Sequence, residues 1–419
     1  MVSSSKRPVP PTEPDRSTGL SGHPTAGRTA DARVYGPHVP RDDDADDILT
    51  VLRKWLERDV APVVLELEHA DTYPRQLVEQ MREFGLFGAT IPAEYGGLGL
   101  KAGAYARVVE EISRVWMSLT GVINSHLMMA ELVRRYGTED QRARLLPAFA
   151  TGDLRGGLAL TEPDCGSDLQ AIRTAARRDG DRYIVNGAKA WITNGGEGNC
   201  LALLVKTDPE ARPRYAGMSL FITLRHDDGY QVVRKLPKLG YKGVDTVELL
   251  FEDVAIPADR LVGGVEGQGF FQTVGALELG RINIAARGVG LADAALRASV
   301  DYSRHRHTMG KPIGEHQAIQ LKLADMATRV TAARLLVQHA AAAFDEGRRC
   351  DLEAGMAKLF ASEAALENAT EALRVHAAYG YSTEGHVERY FRDAPLLCIG
   401  EGTNEIQRVV IAKQLLGRD

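Results

Sequence analysis

The chain has 419 residues, enough for two or three cores, with 51 Lys and Arg against 56 Asp and Glu, a formal net charge of −5. That balance argues against nucleic acid or an anionic membrane surface as partner, and no apolar run approaches the length that spans a bilayer. A hydrophobic share of 44% beside a charged share of 26% fits a soluble globular protein. The four cysteines, Cys165, Cys200, Cys350 and Cys398, are scattered without a C-x-x-C pair. They read as reduced thiols of a cytosolic protein, not as a disulfide framework or zinc site.

Residues 1–47 differ from the rest. "SSSKRPVPPTEPDRSTGLSGHPTAG" is rich in Pro, Ser and Gly and reads as a disordered tail. It lacks the apolar stretch of a secretory signal, and Glu13, Asp15 and Asp31 count against a transit peptide. The expected location is therefore cytoplasmic, or the mitochondrial matrix if the tail is such a peptide. "DDDADD" (Asp42 to Asp47) reads as a solvated acidic patch at a helix N-terminus, not as a metal cluster.

Residues 48–154 form a helical domain by pattern. "DILTVLRKWLERDVAPVVLELE" spaces its apolar residues by three and four until Pro62. "PRQLVEQMREFGLFG" opens a helix at Pro74 and closes it near Gly85, and two more helical runs surround "YARVVEEISRV" and "TEDQRARLLPAFATG". Residues 155–269 read as an antiparallel β-barrel. There Asn186-Gly187 in "RYIVNGAKAWITN" signals a hairpin, and "CLALLVKT", "MSLFITL", "YQVVRKL" and "TVELLFEDVAI" are of strand length. Residues 270–419 hold long Ala- and Leu-rich helical runs, with a last one from about Asn404, and predict a four-helix bundle. The fold class is mainly α with a central β-barrel.

Several patterns that suggest chemistry have plainer readings. Gly97-x-Gly99-x-x-Ala102 matches the dinucleotide fingerprint formally but follows a helix and "IPAEYG", so it reads as a turn. His305 and His307, two apart in a predicted helix, point to different faces and do not share a metal. Cys165 has no histidine near it in sequence to make it a nucleophile.

Two loops are better candidates. "LALTEPDCGSD" (Leu158 to Asp168) gathers hydroxyls and glycine where helices give way to strands, and "WITNGG" (Trp191 to Gly196) ends a strand with an aromatic face beside a hydroxyl. A flat heteroaromatic cofactor requires that combination, but a buried Trp between polar turns explains the pattern equally well. In "CIGEGTNEIQ" (Cys398 to Gln407), Glu401 is either a base presented on a bend or part of an ordinary loop before a last helix.

Taken together, "FGLFGATIPAEYGGLGL", "LALTEPDCGSDLQAI", "VNGAKAWITNGG", "KLGYKGVDTVELLFEDVAIP", "RHRHTMGKPIGEHQAIQLKLADMA", "YGYSTEGHVERYFRDA" and "IGEGTNEIQ" closely resemble, in order, the acyl-CoA dehydrogenase family of flavoenzymes. The match covers nearly all of the chain after the tail.

The resemblance implies a helical domain, a β-barrel and a four-helix bundle, assembled as a homotetramer or homodimer with FAD between barrel and bundle. It implies that Leu158, Leu160, Thr161 and Ser167 line the flavin and its phosphates, and that Trp191, Ile192 and Thr193 pack on the ring and bond near its N5. Arg306 and Gln317 would reach the FAD of a neighbouring subunit, Arg374 and Ala378 its phosphates, and Thr403 and Glu405 its adenosine end. Ser167, Glu278, Arg281, Gly400 and Gly402 fall at positions associated with substrate.

The implied reaction is α,β-dehydrogenation of an acyl-CoA to the trans-2-enoyl-CoA, with an electron-transferring flavoprotein as acceptor. Glu401 would take the α-proton while flavin N5 accepts the β-hydride. Some relatives carry the base just before an arginine, but here Gly280 precedes Arg281. The chain departs from the family pattern at Arg374, Ala377 and Ala378, where Gln and Gly-Gly are frequent, and at Met309, where an aromatic is frequent. It also has Gly400 where a bulky residue is common, which would leave room for a branched acyl group. An acyl-CoA oxidase, an acyl-carrier-protein-linked dehydrogenase and a non-catalytic thioester-binding protein remain as alternatives on the same fold.

Overall fold

The computed structural model describes residues 43–417. Most of the residues read as a tail lie outside these, but Asp43 to Asp47 already belong to the first helix, so the helical domain starts earlier than the apolar spacing alone indicated. Its helices are α1 (Asp43–Trp55), α2 (Val64–His69), α3 (Arg75–Glu83), α4 (Ala102–Tyr136) and α5 (Glu139–Thr151), with a π-turn at Leu56–Val60. Pro74 is the N-cap of α3, and Gly85 follows that helix with a φ of 71°, as the Pro-first, Gly-last pattern predicts.

Helix α4 runs far beyond the run read from sequence and breaks at Trp116, whose φ of −152° and ψ of 104° are extended. The Trp116 indole donates to the buried Glu68 carboxylate at 2.9 Å, and this bond holds the break. Helix α5 begins with a capping box, Thr138 and Gln141 each satisfying the other's backbone N–H.

Seven strands follow: β1 (Gly156–Ala159), β2 (Ala175–Asp179), β3 (Arg182–Thr193), β4 (Cys200–Lys206), β5 (Met218–Leu224), β6 (Tyr230–Lys235) and β7 (Thr246–Pro257). They form one sheet in the order β1-β4-β2-β3-β7-β6, with β5 on β4. The sheet is a curled half-barrel, open and mixed, because β4 pairs parallel with both β1 and β2. The expected antiparallel barrel is corrected to a half-barrel in which one strand pairs in parallel with two others. Asn186-Gly187 is no hairpin either: β3 runs straight through it and bulges against β7. Gly187 takes a φ of 148°, and a Cβ there would meet Thr174, while the Asn186 amide pairs with Asp253 at 2.9 Å across the ladder.

The last region comprises α6 (Gly269–His305), α7 (Gln317–Asp345), α8 (Asp351–His376), α9 (Val387–Ile399) and α10 (Asn404–Leu415). Helices α6, α7 and α8 pack on one another, α9 and α10 lie on α8, and α6 also packs along α4. That is one helix more than the sequence reading, which passed over α9. His307 is outside α6, in a two-residue strand, β8 (His307–Thr308), paired with β9 (Lys311–Pro312). Among the described residues no cluster could hold a metal, and no helix is long and apolar enough to cross a membrane. The core of the helices is continuous, and the sheet closes a second, smaller one around Val185, Ile192, Phe221 and Phe251.

Candidate active site

Glu401 sits in a short bend between α9 and α10, at a φ of 53°, followed by Gly402 at 84°. A left-handed backbone at a glutamate costs energy and persists where the surroundings impose it. Three side chains impose it here. Lys358 of α8 donates its ammonium to the carbonyls of Gly402 at 2.9 Å and Cys398 at 3.4 Å, and to Asn404 at 2.8 Å. Gln407 donates to the carbonyls of Glu401 and Gly402, and the Thr403 hydroxyl caps α10 by accepting from the Ile406 N–H at 3.3 Å.

The bend aims the Glu401 side chain between α4 and α6. Its Oε1 accepts from the Asn124 amide, while its Oε2 is enclosed without a hydrogen-bond partner. Burial pushes this carboxyl above the usual carboxylate range, and the cations Arg287, Lys358 and Arg281 oppose the shift. A buried carboxylate with one oxygen unpaired is a stronger base than one in water. Glu405 contrasts with it: exposed in the first turn of α10, its carboxyl is held low by its own backbone N–H and the Thr403 hydroxyl.

Gly280 borders the Glu401 carboxylate, since a Cβ on it would lie 2.3 Å from Oε2 and 2.2 Å from the Met128 sulfur. At Gly400 a Cβ would face Leu396 of α9. The missing side chain at Gly280, rather than at Gly400, is therefore what admits the carboxylate. Arg281 is buried and paired with Asp351 at 2.9 Å, its Nε enclosed without a partner, and Glu278 is buried and paired with Arg135 at 3.1 Å.

The two loops come together on the sheet. Glu162 accepts the backbone N–H groups of Arg173 at 2.6 Å and Thr174 at 3.0 Å and the Lys189 ammonium at 2.9 Å. Lys189, fully buried on β3, also donates to the Leu160 carbonyl at 3.0 Å, tying the loop of Leu158, Thr161 and Ser167 to the strand that carries Trp191. Asn194 fixes the strand end by donating to the carbonyls of Val122 and Gly156, both at 2.8 Å.

Trp191 stands 59% exposed at a φ of 61°, beside partly buried Thr193. A large ring held in a strained backbone and turned outward fits a planar ring system such as flavin stacked on it. Ile192 turns its side chain into the sheet core, which leaves only its backbone for a cofactor. Burial and nearby Glu162 push the Cys165 thiol up, away from the thiolate a nucleophile needs.

The remaining sequence candidates gather at one end of the bundle. Arg306 ends α6 and lies over the exposed Tyr379 ring at 5.8 Å, and Gln317 opens α7. Arg374 is exposed and paired with Glu371 at 2.6 Å, and exposed Ala378 lies in the turn after α8. Sequence reasoning missed Asn124, Lys358 and Arg287, which come from helices distant in the chain and carry no local motif.

Three domain descriptions match the chain: acyl-CoA dehydrogenase N-terminal domain over residues 42–153, middle domain over 157–254 and C-terminal domain over 267–416. An acyl-CoA dehydrogenase of Bacillus subtilis (strain 168) is 41% identical over 368 residues, covering 88% of this chain and 96% of that one. The structure of butyryl-CoA dehydrogenase from Megasphaera elsdenii superposes with a TM-score of 0.88 at 34% identity, covering 91% of this chain and all of that one. A glutaryl-CoA dehydrogenase from Mycobacterium smegmatis, solved in complex with FADH2, has a TM-score of 0.84 at 28% identity, covering 90% of this chain and 96% of that one. The chain belongs to the FAD-dependent acyl-CoA dehydrogenase family and is an oxidoreductase.

Proposed function

We propose that the protein dehydrogenates an acyl-CoA to the trans-2-enoyl-CoA, with Glu401 as the base that removes the α-proton. The observation that carries this reading is the Glu401 carboxylate itself, buried, unpaired at Oε2 and held on a strained bend by Lys358 and Gln407. An α-proton of a thioester is a weak acid, so a desolvated carboxylate with a raised pKa suits the task. FAD supplies the two-electron acceptor that no side chain provides.

The chain's own residues bind and orient that cofactor. Trp191 and Thr193 face the ring, with the backbone of Ile192 beside them. Leu158, Leu160, Thr161 and Ser167 line it from the loop that Lys189 clamps, and Thr403 and Glu405 sit at the adenosine end. Arg306 and Gln317 serve the FAD of a neighbouring copy, and the Arg374 guanidinium replaces a neutral amide near its phosphates.

Exposed apolar side chains on the bundle, Leu321 at 60%, Leu335 at 47% and Phe360 at 39%, support assembly into a homotetramer or homodimer. Glu278 and Arg281, with Ser167, Gly400 and Gly402, form the thioester side of the site. An electron-transferring flavoprotein completes the cycle from a cytoplasmic location.

The test is Glu401→Gln. It should bind FAD as the parent does while anaerobic bleaching of the flavin by acyl-CoA falls by about a thousandfold. Undiminished bleaching would remove Glu401 from the chemistry. Rapid reoxidation of the parent by air would favour an oxidase.

A further inference from the structure

Asn124 lies deep within α4, 1% exposed, among the buried apolar side chains of Ile123, Leu127 and Met128. Asparagine is a poor helix former, and burying an amide costs energy wherever its polar atoms go unpaired. Here Oδ1 is enclosed without a hydrogen-bond partner, and the bond the side chain does make runs from its NH2 group to Glu401 Oε1. Other buried asparagines serve the backbone: Asn194 donates to the Val122 and Gly156 carbonyls, and Asn368 to those of Ala292 and Met326. For packing alone, an apolar side chain of similar size would suit position 124 better.

The bond makes the two carboxylate oxygens unequal. Asn124 and Met128 are one turn apart on α4, about 6 Å along the axis. Oε1 meets the Asn124 amide, while Oε2 lies toward Gly280 and the Met128 thioether, which offers no hydrogen bond to it.

Burial raises the Glu401 pKa, and Arg287, Lys358, Arg281 and the Asn124 amide oppose the rise. The three cations act through space, from α6 and α8. Two phenols also stand close to the carboxylate: Tyr105 of α4, and Tyr241 from the segment between β6 and β7. The Tyr241 hydroxyl enters where a Cβ on Gly121 would stand and accepts from Arg287 at 2.8 Å. Among the described residues, only the Asn124 amide donates a hydrogen bond to the carboxylate.

We infer that Asn124 is a positioning residue for the base: it anchors the carboxylate at Oε1 in its ionised form and leaves Oε2 to take the α-proton. The inference rests on the reading of Glu401 as the base. As the α C–H bond breaks, its proton forms the O–H bond at Oε2, and the β-hydrogen leaves with its electron pair to FAD. A donor at Oε1 favours the carboxylate over the carboxylic acid. Without it, burial keeps Glu401 protonated, and so unable to act, up to a higher pH.

The test titrates the holoenzyme without substrate, following the infrared band of the protonated Glu401 carboxyl, assigned by its absence in Glu401→Gln. In Asn124→Leu, or in Asn124→Ala if the leucine variant does not fold, the midpoint should rise by about one pH unit or more. The rising limb of anaerobic flavin bleaching by acyl-CoA should move with it, so that the loss of rate is greatest at low pH. An unmoved midpoint, or a rate lowered equally at every pH, would overturn the inference and leave Asn124 a packing residue. If Glu401→Gln bleaches as fast as the parent, the proposed reaction fails, and the infrared midpoint still decides what Asn124 does to the carboxyl.

Discussion

Gly280 and Glu401 occupy one another's space: a Cβ on the glycine would stand 2.3 Å from the carboxylate oxygen Oε2. The pair explains why position 280 carries no side chain in a chain whose base arrives from position 401. Gly280→Ala should therefore displace the carboxylate, lowering the rate of flavin bleaching by about tenfold or more while FAD content stays unchanged. An alanine variant with parental rates would show that the carboxylate works from another position.

The Lys358 ammonium holds the bend and adds a positive charge that opposes the rise in the Glu401 pKa. Only ionised Glu401 can accept a proton, so activity should rise with pH through that carboxyl's titration. Lys358→Met removes the charge, so the rising limb should move to higher pH. Bleaching at low pH should fall more than bleaching at high pH. An unmoved profile with a uniformly lower rate would leave Lys358 a purely structural clamp.

Burial depresses Lys189 to about 8 from an ordinary 10.5. Below pH 8 the lysine is charged in both folded and unfolded chains, and its desolvation cost is fully present. Between about pH 8 and 10.5 the unfolded chain holds more protons, so its contribution to stability rises with pH. Thermal melts of the parent and Lys189→Met across that window should converge in slope only if Lys189 is not the group responsible.

Trp191 keeps its ring outward on a left-handed backbone. Trp191→Ala should weaken FAD binding by about three- to tenfold, read by recovery of flavin fluorescence on dilution. Retention as tight as the parent's would mean that the ring contributes no stacking.

Much of the architecture was legible because its signals are local. The Pro74 and Gly85 boundaries of α3, the apolar strand runs and the start of α10 at Asn404 each depend on a few neighbouring residues. Errors arose where distant contacts decide. Asn186-Gly187 makes a good turn in isolation, yet Asp253 across the ladder and the close approach of Thr174 turn it into a bulge. Strand β1, only Gly156–Ala159, has no pattern of its own and exists through its parallel pairing with β4. Helix α9 contains Pro395, which masked it. Within the site, the motifs pointed to Glu401 and Trp191, but Asn124, Arg287 and Lys358 belong to helices whose registers only packing reveals.

Tyr241 reaches the helical interior from the sheet region, through the gap that Gly121 leaves in α4. The helical interior is thus packed in part by the sheet region, so a substitution at Arg287 alone leaves the Tyr241 ring in place between α4 and α6. A change that moves the β6–β7 segment would therefore be felt inside the helices, at the Arg287 hydrogen bonds.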